Sequence, residues 1–287
     1  MLQATDISRQ IGQKAILNHC SLTLTPGRFT AVVGANGAGK STLLRIVSGE
    51  DVPDQGHVHL NGRLLANHSS RELSQVRAVL PQRTIVNFPF TVEQVVEIGR
   101  YAHRSSDQEN ELIIREVMQL TGLTHFRGRT YQTLSGGEQQ RVQMARVMAQ
   151  LWGETYRGAL SKPRYLLLDE PTSSLDLAQQ QRLLGLAKEL CLRPFGLLAI
   201  LHDLNLAIQY ADDILFLKQG ETVAYGTVEE VVTQAVIEET FSHPEQRLAV
   251  RLIHDQGQLI VIPKLQPRHN SEKTLNTANK QHHESHP

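Results

Sequence analysis

The sequence predicts an α/β fold, a core of alternating strands and helices interrupted by a helical insertion, and three observations predict it. Across the first ninety residues, short apolar runs alternate with turn signals. From residue 91 to 150 the apolar positions fall at helical spacing instead. After that, strand signals return in "RYLLLDE" and "GLLAILHD", the first nearly all apolar, as suits a strand covered on both faces.

Taken in chain order, "ILNHCSLTLTPG" and "RFTAVVG" predict strands, and "KSTLLRIVSG" predicts a helix ending on Gly49. "GHVHLNG" reads as a further strand between turns, and "RAVLPQ" as one ending at Gln82. Thr91 with Gln94, and Ser135 with Glu138, have the spacing of capping boxes, in which the first and fourth side chains satisfy orphan amides reciprocally. "LAQQQRLLGLAKELC" has helical spacing between the two later strands. Thr227 with Glu230 predicts a short capped helix, and "RLAVRLIHDQGQLIVIPK" predicts two strands around Asp255-Gln256-Gly257.

From about Gln266 the chain is polar and short of apolar residues, which predicts disorder. His269, His282, His283 and His286 fall in that tail at no metal-site spacing, so they read as solvated. The predicted organisation is one domain over residues 1–265, with a core from 1–84 and 162–265 and a helical subdomain over 85–161, followed by the tail at 266–287.

The 287 residues, 40% hydrophobic and 20% charged, suffice for a sizeable core. Lys plus Arg and Asp plus Glu stand at 29 each, so no net field argues for nucleic acid. Cys20 and Cys191, alone and far apart, offer neither metal nor disulfide spacing and fit a reducing compartment. No apolar run approaches the roughly 20 residues that cross a bilayer, and "MLQATDISRQ" lacks an export signal. Any membrane role is therefore expected to run through partners.

"GANGAGKST" matches the phosphate-binding loop, with Gly34, Gly39, Lys40 and Ser41 at the required offsets, after the strand "FTAVV" and before an apolar-periodic helix. Glycines let the backbone wrap a phosphate, and successive amides at a helix start supply positive potential. Gly34, Asn36, Gly37, Gly39, Lys40, Ser41 and Thr42 are the candidate nucleotide-binding residues, with Lys40 reaching the β and γ phosphates and Ser41 a ligand of magnesium.

In "YLLLDE", Asp169 emerges at a strand end, where open α/β sheets bind ligands, and a carboxylate there suits magnesium. Glu170 is then set to orient or deprotonate the attacking water as a general base; the bland alternative is a solvated residue opening the turn at Pro171. His202, closing "LLAILH", carries little alone, and with the other motifs reads as a γ-phosphate contact.

The phosphate loop, "LSGGEQ" from Leu134 to Gln139, "LLLDEPTSSLD" and the downstream histidine together resemble the ATP-binding cassette (ABC) ATPases over nearly all of residues 1–235. That resemblance implies an antiparallel β subdomain flanking the core, and a head-to-tail homodimer with ATP between the two chains. It implies that Ser135, Gly136 and Gly137 serve the nucleotide held by the partner, which agrees with the affinity of a helix N-terminus for anions. It also implies that Gln82 contacts magnesium and the attacking water, and that "SSLD", ending at Asp176, crosses the dimer interface. The aromatic residue that usually stacks on adenine has no counterpart, and alignment puts Arg9 there, to stack its guanidinium on the base or lie in solvent.

"FPFTVEQVVEIGRYAH", residues 88–103, lies where such cassettes receive a membrane permease and resembles the version in importers of cobalamin, ferric siderophores and haem. Val92, Val95, Val96 and Ile98 read mostly as core, with Phe88, Phe90 and Arg100 as the better candidates for contact. Together with the long loop "GETYRGALSKP", the pattern is most similar to haemin-import ATP-binding subunits. The implied assembly is a homodimer with two permease subunits and, indirectly, a periplasmic haem-binding protein, on the cytoplasmic face of the inner membrane. Siderophore or cobalamin import, and a non-transport cassette, stand as alternatives.

Overall fold

The computed structural model describes residues 1–152, 163–242 and 248–264. The predicted tail and the loop "GETYRGALSKP" lie outside the described residues, apart from Pro163.

The chain opens on an antiparallel hairpin, β1 (Leu2–Ile11) and β2 (Lys14–Leu24), then enters β3 (Phe29–Val33) and α1 (Lys40–Ser48). Gly49, in left-handed conformation, closes α1 as predicted. β4 (Gln55–Leu60), the short β5 (Arg63–Leu64), α2 (Ser70–Val76) and β6 (Arg77–Leu80) complete the first part. Helices α3 (Val92–Glu97), α4 (Asp107–Leu120) and α5 (Gly136–Leu151) follow. Then come β7 (Arg164–Leu168), α6 (Leu177–Leu190), β8 (Phe195–Ile200), α7 (Leu204–Tyr210), β9 (Asp213–Lys218), β10 (Glu221–Thr227), α8 (Val228–Val231), α9 (Gln234–Phe241) and the hairpin β11 (Val250–Asp255) and β12 (Gln258–Pro263).

Six strands form the central sheet in the order β10-β9-β3-β8-β7-β6, parallel except for the antiparallel edge strand β10. A four-stranded antiparallel sheet, β2-β1-β4-β5, lies beside it. Alternation along the buried strands divides the core in two. Tyr165 and Leu167 of β7 and Leu198 and Ile200 of β8 face a cluster with Leu43, Ile46 and Val47 of α1 and Leu22 and Val58 of the antiparallel sheet. Leu166, Leu168, Leu197 and Ala199 face the opposite cluster, built with Val95, Val117, Val142, Leu183 and Ile237 from the helices. α1 is thus clamped between two sheets, which fixes the loop at its N-terminus.

The predicted capping boxes at Thr91, Ser135 and Thr227 are present. A fourth, Ser69 with Glu72, opens α2. Strand β1, helix α2 and the β9–β10 hairpin extend the elements read from sequence. Among the described residues no helix is long and apolar enough to cross a membrane.

Candidate nucleotide site

Four adjacent parallel strands, β3, β8, β7 and β6, deliver the predicted residues to one edge of the sheet. The loop from Gly34 follows β3, His202 follows β8, Asp169 and Glu170 follow β7, and Gln82 follows β6. This is the carboxyl edge, where parallel sheets bind ligands.

The loop's shape depends on glycine at two points. A Cβ on Gly34, at φ 158°, would stand 2.1 Å from the Leu217 carbonyl oxygen. One on Gly39, at φ 103°, would stand 2.7 Å from the Ile16 carbonyl oxygen. Gly37 at φ 78° has nothing within 4 Å of its virtual Cβ, so its requirement is the left-handed backbone alone.

Lys40 is 5% exposed, and its Nζ donates to the carbonyls of Gly34 (2.9 Å) and Ala35 (3.0 Å). Burial lowers its ammonium pKa, with Glu170 and Asp169 pulling it back up. The positive charge is therefore held under the loop, partnered by carbonyl dipoles. Ser41 Oγ donates to Asp169 Oδ1 at 3.3 Å. Burial, and next Glu170 beside it, raises the Asp169 carboxyl above its ordinary value.

Glu170 adopts φ 47°, in the left-handed region that a non-glycine residue enters at a cost. His202 Nε2 lies 2.7 Å from its Oε1, and Gln82 donates through Nε2 to its Oε2. The carboxylate is thus held from both sides, between residues arriving from β6 and β8. The structure brings Gln82, Asp169, Glu170 and His202 together with the phosphate loop.

Ser135 and Gly136 are exposed at the start of α5, while Gly137 is buried against Gln179 of α6. Among the described residues, no hydrogen bond or ion pair ties Ser135, Gly136 or Gly137 to the phosphate loop of their own chain.

Arg9 donates through Nη2 to Asp51 (2.9 Å) and through Nη1 to Asp54 (2.8 Å), so its guanidinium is ion-paired along its edge rather than lying free in solvent. Asp51 follows the C-terminal end of α1, a nine-residue helix about 13 Å long, with the phosphate loop at its other end. Arg9 therefore packs β1 against the end of α1. Arg100, expected to reach a partner, is 3% exposed, donating to the Ala149 carbonyl (2.8 Å), Asn110 (2.9 Å) and Ser105 (3.1 Å).

Val92, Val95 and Val96 are core, as expected, but Ile98 is exposed. Phe88, Phe90 and Tyr101 are exposed as well, the two phenylalanine rings 5.9 Å apart, so the segment carries more exposed apolar side chains than the sequence reading anticipated. The missed signal lay in "EIGRYAH", where Ile98 and Tyr101 keep a spacing of three on one side while Arg100 falls on the other.

Residues 17–173 match the family model described as ABC transporter. The chain is 46% identical over 241 residues, 84% of itself and 91% of the relative, to the hemin import ATP-binding protein HmuV of Chelativorans sp. (strain BNC1). It resembles an ATP-binding cassette solved as a dimer in a post-hydrolysis state with ADP and phosphate, at a TM-score of 0.67 and 25% identity, over 79% of this chain and 99% of the other. A metal-chelate type ABC transporter in an inward-facing conformation shares the fold at a TM-score of 0.73 and 23% identity, over 92% and 97% of the two chains.

Proposed function

This chain belongs to the ABC transporter family, and from that premise we propose that it is the ATPase subunit of a bacterial importer whose cargo is haem. ATP hydrolysis is the chemistry of the family, and the observation that carries it here is the clamped carboxylate of Glu170 beside a phosphate loop. The cargo rests on the hemin import relative, which is matched over nearly its whole length.

In this reading Gly34, Asn36, Gly37, Gly39, Lys40, Ser41 and Thr42 cradle the phosphates. Lys40 exchanges its two carbonyl partners for phosphate oxygens. Glu170 accepts the proton of the attacking water, aimed by Gln82 and His202. Its strained backbone supports that role, since such strain gathers where geometry must be fixed before the substrate arrives.

Magnesium fits beside Ser41 and Asp169, a hydroxyl and a carboxylate within 3.3 Å of each other. The raised Asp169 carboxyl, crowded by Glu170, is what a nearby cation would relieve. Among the described residues no group of three or more His, Cys, Asp or Glu could hold a metal; this accords with magnesium, which takes one or two protein ligands and completes its shell with phosphates and waters. When bound it neutralises charge on the β and γ oxygens.

ABC cassettes act as dimers with membrane permeases, and here we assign the helix tip at Ser135–Gly137, exposed at Ser135 and Gly136, to the nucleotide of a second copy. Residues 1–84 and 162–265 then carry the phosphate loop and Glu170, and 85–161 carry the tip. Phe88, Phe90, Ile98 and Tyr101 of each chain supply the apolar contact for one of two permease subunits, which place the chain at the cytoplasmic face of the inner membrane. A periplasmic haem-binding protein delivers cargo on the other side.

The test is uptake by the chain reconstituted with its cognate permease. ATP-dependent accumulation of haem, exceeding that of ferric siderophore or cobalamin, is expected. Preference for either of the others would overturn the cargo and leave the ATPase standing.

A further inference from the structure

The loop from Pro171 to Leu175 joins Glu170 to α6, and its carbonyls are claimed from two helices. Gln180 of α6 donates through Nε2 to Thr172 O (3.2 Å) and Leu175 O (3.1 Å). From α5, Gln140 Nε2 donates to Pro171 O at 3.2 Å. Proline has no N–H, so that carbonyl is the sole main-chain hydrogen-bonding group at the residue following Glu170.

The two helices open alike. Leu134-Ser135 precedes α5 and Leu175-Asp176 precedes α6, each leucine buried and each Ser or Asp capping the amide three residues on. Gln139 and Gln180, four residues after the caps, spend their amides on their own helix entries: Leu134 O and Tyr131 O for one, Leu175 O and Thr172 O for the other. Gln140, next to Gln139 and one turn from Gly136, reaches instead into the loop of the catalytic carboxylate. It therefore spans, within one chain, from the helix whose tip meets one nucleotide to the carboxylate that serves another.

We propose that Gln140 is a positioning residue for Glu170. Its amide anchors Pro171, and that anchor holds the turn in which Ser173 N donates to Glu170 O at 3.3 Å and Glu170 keeps φ 47°. Without it, Glu170 relaxes toward ordinary backbone angles, and its carboxylate leaves the position set by Gln82 and His202. The inference rests on Glu170 being the general base.

The experiment is steady-state ATPase kinetics on the full-length chain carrying Gln140→Met, which keeps the length and removes the donor, and Gln140→Glu, which turns an oxygen toward Pro171 O. Loss of one such hydrogen bond is expected to lower kcat roughly 5- to 30-fold in Gln140→Met, with KM for ATP unchanged and a larger loss in Gln140→Glu. Because the residue acts through Glu170, adding Gln140→Met to Glu170→Gln should cost nothing more in single-turnover hydrolysis. A role confined to general packing would give multiplying losses, or a higher KM at unchanged kcat, and either result overturns the proposal; so does a Gln140→Glu variant as fast as the wild type. If Glu170→Gln hydrolyses normally, the reading of Glu170 falls and this inference falls with it. A dead Glu170→Gln beside an unaffected Gln140→Met would remove the inference alone.

Discussion

His202 Nε2 stands 2.7 Å from Oε1 of Glu170, a contact made across the ends of two neighbouring parallel strands. With Gln82 on the other oxygen, the carboxylate is held from both sides. Glu170→Gln keeps the shape and removes the base. Hydrolysis is expected to fall by roughly 10² to 10⁴, while ATP still binds and a nucleotide-bound dimer accumulates in size-exclusion chromatography. Phosphate release at the wild-type rate would show that another group takes the proton.

Ser135 Oγ and Glu138 satisfy each other's backbone amides at the start of α5. Ser135→Arg brings bulk and charge to the exposed tip and loses the cap, at a cost of about 1 kcal/mol to the helix. The variant should bind ATP as an isolated chain, measured by equilibrium titration, yet fail to form the ATP-dependent dimer. A dimer of unchanged affinity would disconnect this tip from the second nucleotide.

Much of the candidate site is legible in the sequence because its parts are local. Loop, helix start and strand end lie within nine residues for "GANGAGKST" and within six for "YLLLDE". What sequence leaves open is pairing over distance. Arg9 finds its carboxylates more than forty residues away, at Asp51 and Asp54, and spacing carries no trace of them. Arg100 reads as a surface cation because guanidinium groups are rarely buried unless paired, and its partners come from a loop (Ser105) and two helices, α4 (Asn110) and α5 (Ala149). Strand β9, "DILFLK", is buried on both faces and shows no alternation, although Gln219 and Gly220 at positive φ mark its turn.

Phe88 and Arg100, twelve residues apart, should answer mutation in opposite ways. Phe88 is 68% exposed, so Phe88→Asp is expected to leave the melting temperature and intrinsic ATPase of the isolated chain unchanged while weakening binding to the permease. Arg100→Ala removes a buried side chain together with its hydrogen bonds to the Ala149 carbonyl, Asn110 and Ser105, at a cost of about 1–3 kcal/mol. Thermal unfolding and permease pull-down on both variants check the contrast. Destabilisation by Phe88→Asp would count against the contact surface.

Gly34 and Gly37 make a second opposed pair. Alanine at Gly34 drives a Cβ to 2.1 Å from Leu217 O, so β3 or β9 must move and the loop with it. Gly34→Ala is expected to abolish ATP binding. Gly37→Ala meets no atom and pays only the left-handed backbone penalty of roughly 1–2 kcal/mol, so it should bind ATP with a modest loss. Calorimetric titration of both would expose an error if the order were reversed.

Cys20 and Cys191 are both buried, and burial raises both thiols, Cys191 to about 11. Only the thiolate reacts with alkylating agents. At pH 8 a thiol at about 11 is thiolate in roughly one molecule per thousand, against about a quarter for an unperturbed cysteine. The sign follows directly: raising the pH restores the thiolate tenfold per unit until the thiol's own pKa is reached. The folded chain should therefore resist iodoacetamide at pH 8 while the urea-unfolded chain takes up two equivalents within minutes. Mass spectrometry of tryptic peptides separates the two sites, and rapid labelling of Cys191 in the folded chain would mean that the packing of α6 against the sheet opens far more often than its burial implies.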